Sequence, residues 1–353
     1  MTRPPTTTRS AMSVGVLFTQ GLVTGDPHTV LGEILQQAEA ADRLGFSHAL
    51  TTEHKYSDEY FGSPLHLSFA IAARTQRVKV GTAIAIAPLY NPIELAQDSA
   101  MLDQLSGGRA WLGLGVGYMP VDYSTVGVSW DDRAQRFDET VRILREAHTS
   151  DRFSFADEVY SFEDVSVIPR PVQPTGVPLH LAAWTPGGIR RAGRLADGWI
   201  TNALMSLDTM TAMAGQYREA AAAGGRDPHV TSIRFCWPYR DREAALEKFG
   251  DTALAMARTL FDYGAITDLP GVTSSDQITL EEFVRDRFVF GTPDECVDTI
   301  GRFRDQAGVD DFLMIFRYPT GPDNAAVLEA MELFGTEVLP QLDPAVDTAV
   351  VQA

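Results

Sequence analysis

The stretch from Val78 to Tyr118 limits what this chain can become more than any other. It reads VKVGTAIAIAP, then LYNPIELAQDSAMLDQLSGG, then RAWLGLGVGY. The outer runs are short and apolar, and the last is rich in glycine. The middle segment has helical length, with Asn91-Pro92 as cap and first-turn chemistry, Glu94 in the first turn and Gly107-Gly108 as a stop. Apolar strand, helix and apolar strand make a βαβ unit whose parallel sheet is covered on both faces. The crossover of such a unit is right-handed almost without exception.

The same alternation runs along the rest of the chain. Strands are predicted over 12–20, 48–54, 178–184, 198–203, 230–239 and 311–317, besides the pair already described. Leu31, Ile34, Leu35, Ala38 and Ala41 recur at helical spacing, as do Val327, Met331, Phe334 and Val338. Eight strand–helix pairs fit a (β/α)8 TIM barrel over residues 12–340, whose active site lies at the C-terminal ends of the strands. A doubly wound sheet is the alternative. Residues 149–177, with Pro169, Pro171 and Pro174, read as an excursion on the lower face of the barrel. Residues 240–290 form an insertion after the seventh strand, with a helix over 241–260 and a Gly/Pro/Ser-rich piece from Tyr263 to Gln277. An insertion of that length in a compact fold is usually functional or disordered. Residues 1–11 read as a disordered tail and 341–353 as a C-terminal tail.

Composition narrows the partners. A net charge of -18 argues against nucleic acid and anionic membranes. No apolar run reaches the length that crosses a bilayer. Two cysteines make no disulfide framework and fit a reducing cytoplasm. Cys296 shares an apolar helix face with Ile300, Phe303 and Ala307, so it reads as core. The carboxylates show no metal-ligand spacing, and no metal is expected.

In a barrel the informative residues end the strands. The second strand ends in Thr52-Glu53-His54, and a histidine there suits proton transfer, although a satisfied histidine near a helix start fits the same letters. The third ends in small and apolar residues around Ala83 and Ile84, which let a flat ring approach or simply pack the barrel. Gly113, Gly115 and Gly117 alternate in the fourth, marking close approach of a ligand or another backbone. After the fifth comes Trp184-Thr185-Pro186-Gly187-Gly188, a helix start able to hold an anion or merely to cap. Phe18, Tyr118, Asn202, Trp237 and Arg317 lie at or near other strand ends, as substrate contacts or as packing.

GTAIAIAP followed by NPIELAQDSAMLDQLSGGRAWLGLGVGY resembles the third and fourth βα units of the bacterial-luciferase-like flavin monooxygenases. Further matches extend the resemblance over roughly residues 12–340. It implies an enzyme that uses reduced FMN, delivered by a separate NAD(P)H:flavin reductase, and O2 to oxygenate a small aldehyde- or ketone-type substrate. The same fold also serves F420-dependent hydride transfer, and a non-catalytic flavin-binding barrel is a third possibility. The resemblance assigns His54 a catalytic role with Glu53 beside it, and puts Lys55 where many relatives have a second histidine. It implies a non-proline cis peptide at Ala83–Ile84 against the flavin ring. It aligns Thr185 and Gly188 with the family's flavin-phosphate loop, where Trp184 and Gly187 of the same turn are further cofactor candidates, and it puts Val116, beside the candidate Gly117, where some relatives have a phosphate-binding arginine. Arg133 and Glu139 match a family pattern and read as structural ion-pair residues. The 240–290 insertion matches a mobile lid, and a homodimer through the second and third helices is expected.

Overall fold

The computed structural model describes residues 12–343, apart from 20, 22–24, 56–59, 61, 263–265, 267–268, 270 and 319–320. Both predicted tails therefore lie almost wholly outside the described residues, as does part of the Tyr263–Gln277 piece.

The strands in chain order are β1 (Ser13–Phe18), β2 (His48–Thr51), β3 (Lys79–Ile86), β4 (Ala110–Gly115), β5 (Phe153–Ala156), β6 (Ser161–Val165), β7 (Leu179–Ala182), β8 (Gly198–Ile200), β9 (Val230–Pro238), β10 (Phe288–Gly291) and β11 (Asp311–Ile315). The helices are α1 (Pro27–Leu44), α2 (Pro64–Arg74), α3 (Pro92–Ser106), α4 (Pro120–Thr125), α5 (Arg133–Thr149), α6 (Pro186–Leu195), α7 (Leu207–Ala223), α8 (Arg242–Ala245), α9 (Asp251–Asp262), α10 (Leu280–Val284), α11 (Pro293–Arg302), α12 (Asn324–Leu333) and α13 (Leu339–Leu342).

Eight of the strands pair in parallel in the order β1-β2-β3-β4-β7-β8-β9-β11. The circle closes where Ser13 to Val16 of β1 pair with Asp311 to Met314 of β11. This is the TIM barrel read from the βα alternation. Helix ends follow local chemistry. Asn91 accepts hydrogen bonds from the N–H groups of Ile93 and Glu94, Pro92 opens α3, and Gly107 ends it in the left-handed conformation. Thr292 and Glu295 make a reciprocal capping box at α11.

The insertion was read as helix and loop, yet it ends in a strand. β9 is nine residues long and outlasts its neighbour. Thr231 to Phe235 pair with β11, and Phe235 to Pro238 pair with β10. The signal was present in the apolar run Phe288-Val289-Phe290 before Gly291, but eight strands already satisfied the barrel. Aromatic rings fasten the insertion to this corner. Trp237 stacks on Phe249 at 5.5 Å, and Phe249 also meets Phe288 and Phe290. The 149–177 excursion contains the antiparallel hairpin β5–β6, where little periodicity was visible. Two fully buried carboxylates hold it. Glu139 accepts from the N–H groups of Val159 and Tyr160, and Asp103 from those of Val172 and Gln173.

The lower end of the barrel is plugged by rings from the strand starts. His48 meets Trp111 edge-on at 5.8 Å, Trp111 stacks on His180 at 4.1 Å, and His180 meets His229 edge-on at 5.6 Å. His229 then bonds to Asp311 at 2.7 Å. Glycines make the room: a Cβ on Gly15 would sit 2.4 Å from that of His48, and one on Gly198 would sit 2.3 Å from His180 Nδ1. Burial pushes the pKa of His48 down to about 3 and that of His180 well below its usual value. Burial would also lower His229, but the hydrogen bond and charge of Asp311 outweigh it and raise its pKa. Despite burial, the His229 bond and neighbouring positive charge hold Asp311 at about 2.

Candidate active site

β2 and β3 are neighbours, and Glu53 ties their upper ends together. Its side chain is fully buried. Oε2 accepts the N–H of Ile86 at 2.6 Å, while Oε1 takes the Tyr90 hydroxyl and the Lys55 ammonium, each at 2.7 Å. Lys55 also lies 4.9 Å above the Tyr90 ring. A buried carboxylate is tolerable only when it is paired and hydrogen-bonded in this way. Both oxygens are engaged, so the geometry gives Glu53 the work of positioning the β3 tip. Nothing in the sequence singled out Tyr90.

Within that tip the Ala83–Ile84 peptide is cis, as the resemblance implied. The pairing of β3 with β4 shifts register between Thr82 and Ala85. Ala83 is buried and Ile84 half-buried. The glycines of β4 answer to this neighbour. A Cβ on Gly113 would meet the Thr82 carbonyl at 2.4 Å, and one on Gly115 would meet Ile84 Cδ1 at 2.7 Å. Gly117 has φ +79° and Ile86 Cγ2 at 2.8 Å from where its Cβ would be. Of the two causes left open for these glycines, neighbouring protein atoms account for all three.

His54 follows Glu53 directly. Its ring lies 4.3 Å from that of Tyr60, tilted by 32°. Burial alone lowers its pKa to about 4, so the ring is neutral at pH 7, with one nitrogen a donor and the other an acceptor. The remaining tips complete a rim. Val116 is half-buried, and its carbonyl accepts the Tyr123 hydroxyl. Tyr118 and Trp184 are exposed and meet edge to face at 5.9 Å. Thr185 caps α6, its Oγ1 accepting the N–H of Gly188 at 3.2 Å. Pro186 has no N–H, and the Gly187 N–H lies in the first turn, where no helical carbonyl is in reach. Arg191 pairs with Asp138, and Arg190 is exposed.

Other singled-out residues are engaged by the fold. Asn202 Oδ1 accepts the Leu204 N–H at 2.7 Å. Trp237 is buried against Phe249. Phe18 and Arg317 line a crevice against Val30, Ile34 and Gln37 of α1, and Arg317 Nη1 bonds to Glu33 there at 2.6 Å. Arg133 does not pair with Glu139. It donates to the Trp130 carbonyl and stacks on that ring at 4.0 Å. Cys296 is buried, as read from its helix face. Sequence reasoning missed Asp122, buried in α4 with Oδ1 unpartnered.

No helix among the described residues is long and apolar enough to cross a membrane, and no group of metal-holding side chains is found among them. A family model described as luciferase-like monooxygenase matches residues 12–311. An F420-dependent glucose-6-phosphate dehydrogenase of Amycolatopsis mediterranei is 28% identical over 325 residues, covering 88% of this chain and 94% of that protein. A 4-hydroxyprotoasukamycin monooxygenase of Streptomyces nodosus is 26% identical over 333 residues, covering 91% and 90%. The crystal structure of monooxygenase RslO1 from Streptomyces bottropensis superposes with a TM-score of 0.80 at 26% identity, covering 94% and 99%. With a cis peptide at the β3 tip, a neutral histidine beside it and a family match over most of its length, the chain belongs to the luciferase-like monooxygenases and is an oxidoreductase.

Proposed function

We propose that this chain is a flavin-dependent monooxygenase that takes reduced FMN from a separate NAD(P)H:flavin reductase and oxygenates a small carbonyl-type substrate. The observation that carries the reading is the pairing, at adjacent strand tips, of a neutral His54 with the cis Ala83–Ile84 peptide. The residues present fit a flavin: small and apolar side chains at Ala83, Ile84 and Ile86 for the flat ring, and the Thr185–Gly188 helix start for its phosphate. The bound cofactor would supply the oxygen chemistry. His54, uncharged, accepts or donates a proton at the reacting atoms. Glu53 keeps the β3 tip in place through Ile86 and Tyr90. Tyr118 and Trp184 flank the entrance.

F420-dependent hydride transfer is the second reading, favoured by the dehydrogenase relative. Charge weighs against it. The F420 tail carries several carboxylates, whereas Lys55, Arg191 and Arg317 near the tips are already paired with Glu53, Asp138 and Glu33, which leaves exposed Arg190 as the cation at the α6 start. A homodimer through α2 and α3 belongs to the proposal, since Met101 and Leu105 stand exposed on α3. Oxygen uptake decides the reaction. The enzyme with reduced FMN and a panel of aldehydes and ketones should consume O2 in step with product. Reduction or oxidation of F420 without O2 uptake would overturn the monooxygenase reading.

A further inference from the structure

The Glu53 side chain has no exposed surface, and a carboxylate so placed keeps its charge only beside a compensating one. Among the described residues, the cation paired with it is Lys55, whose Nζ lies 2.7 Å from Oε1. The lysine side chain is 19% exposed, so it runs from the surface down to the buried acid. Its Nζ also lies 4.9 Å from the centre of the Tyr90 ring, a cation–π distance. The ammonium therefore meets both Glu53 and the residue whose hydroxyl shares the same Oε1. Backbone depends on this charge. Glu53 Oε2 takes the N–H of Ile86, the last residue of β3, at 2.6 Å, and Tyr90 caps the short 3-10 turn Ala87–Leu89 that follows. One carboxylate thus joins the β2 tip to both ends of that turn. Hydrogen bonds to a charged acceptor are roughly twice as strong as neutral ones. A protonated Glu53 would hold the Ile86 N–H less firmly and would turn one oxygen into a donor. Two other titratable groups bear on the pair besides Tyr90. Asp122 of α4 is itself buried and adds negative charge, and His54, next in sequence, is neutral at pH 7. Neither can stand in for the ammonium.

We infer that Lys55 is a positioning residue: its lasting positive charge keeps Glu53 ionised, and so keeps the β3 tip in place through neutral and alkaline pH. The inference rests on the proposed function in taking that tip as the seat of the flavin ring, whereas the clamp itself is protein on protein. A lysine ordinarily keeps its charge to about pH 10, and a histidine loses it near about pH 6.5. A histidine at position 55 would therefore make the clamp come and go around neutrality.

The test compares the full-length wild type with Lys55→Met, Lys55→Arg and Lys55→His, each at about pH 6 and about pH 8.5, on either side of the histidine range. Protection of the Ile86 amide against hydrogen exchange reads the clamp without any cofactor, and anaerobic titration with reduced FMN reads its consequence. Affinities are taken as ratios to wild type at the same pH, so the ionisation of FMN itself cancels. Lys55→Met should lose about tenfold in both readouts at both pH values, and Lys55→Arg should stay within about twofold of wild type. Lys55→His should stay within about threefold at the lower pH and fall about tenfold at the higher one. A side chain that merely filled space would give losses without pH dependence and without rescue by arginine. Lys55→His behaving alike at both pH values, or an Ile86 amide as protected in Lys55→Met as in wild type, overturns the inference. If Lys55→Met does not fold, Lys55→His carries the test, because charged and neutral states are read in one protein. Reduced FMN binding with Ile86 protection unchanged in Lys55→Met sinks this inference alone. Failure of wild type to bind reduced FMN sinks the proposed function and leaves the Ile86 amide to judge the clamp.

Discussion

His48 and His180 at the foot of the barrel and His54 at its mouth are all held neutral by burial, yet their surroundings differ. At the foot, the rings form a chain through Trp111 to His229 and Asp311, packed so tightly that Gly15 and Gly198 cannot carry a Cβ. At the mouth, His54 touches Tyr60 and lies among strand tips rather than strand starts. A lowered histidine pKa therefore marks no active site by itself. What separates the two ends is the company each ring keeps: a continuous ring chain ending in Asp311 at the foot, and Tyr60 at the strand tips. The foot closes the barrel, and in barrels of this type chemistry belongs to the opposite end, where the strands finish.

The sharpest way to break this contrast is at the foot. Trp111→Ala removes the ring between His48 and His180 and should destabilise the fold by about 3–5 kcal/mol in urea unfolding. Reduced-FMN affinity per folded molecule should be unchanged. A change in that affinity equal to the stability loss would show that the two ends are not separable. At the mouth, His54→Ala should lower turnover about 100-fold with cofactor affinity retained and the melting temperature shifted by only a few degrees. Unchanged turnover would remove His54 from the chemistry. Acid should then tell the ends apart. His48 is neutral in the fold and has a pKa near 6.5 when unfolded, so its contribution is present above that pH and is lost as pH falls toward 3. At pH 5 the loss is about 2 kcal/mol, read as a drop in unfolding free energy between pH 7 and pH 5. Replacing His48 with glutamine should recover about that much of the drop. In the bonded pair beside it, His229 works in the opposite sense to His48, whereas Asp311 works in the same sense. The raised His229 contributes below pH 6.5 and loses its effect as pH rises through its folded value, while the lowered Asp311 contributes above pH 3.8 and fades as pH falls toward 2.

Much of the fold was legible because barrel strands are short apolar runs with glycine, proline and capping residues between them. Asn91-Pro92 and Gly107 end α3 where local chemistry says they must. The apolar run of β10 was visible, but its place in the sheet was not, because its pairing depends on β9 outlasting β11, a fact of three-dimensional length. The candidate site was read in part. His54, Ala83 and Ile84 came from position and resemblance. Tyr90 and Tyr60 carry no local signal, since they act through partners 37 and 6 residues away in sequence, at Glu53 and His54. Asp122 was hidden for a different reason: the segment after Tyr118 reads as a loop, and neither the short helix α4 nor the burial of its acid shows in the sequence.

The central claim is that the strand tips hold a flavin with its phosphate at the start of α6. Thr185→Asp tests it most directly, because aspartate still caps the helix but repels a phosphate. Anaerobic titrations of wild type and variant with reduced FMN and reduced riboflavin should show FMN affinity falling about tenfold while riboflavin, which lacks the phosphate, binds both proteins alike. Equal FMN binding by both proteins, or no binding of either flavin to wild type, would contradict the account.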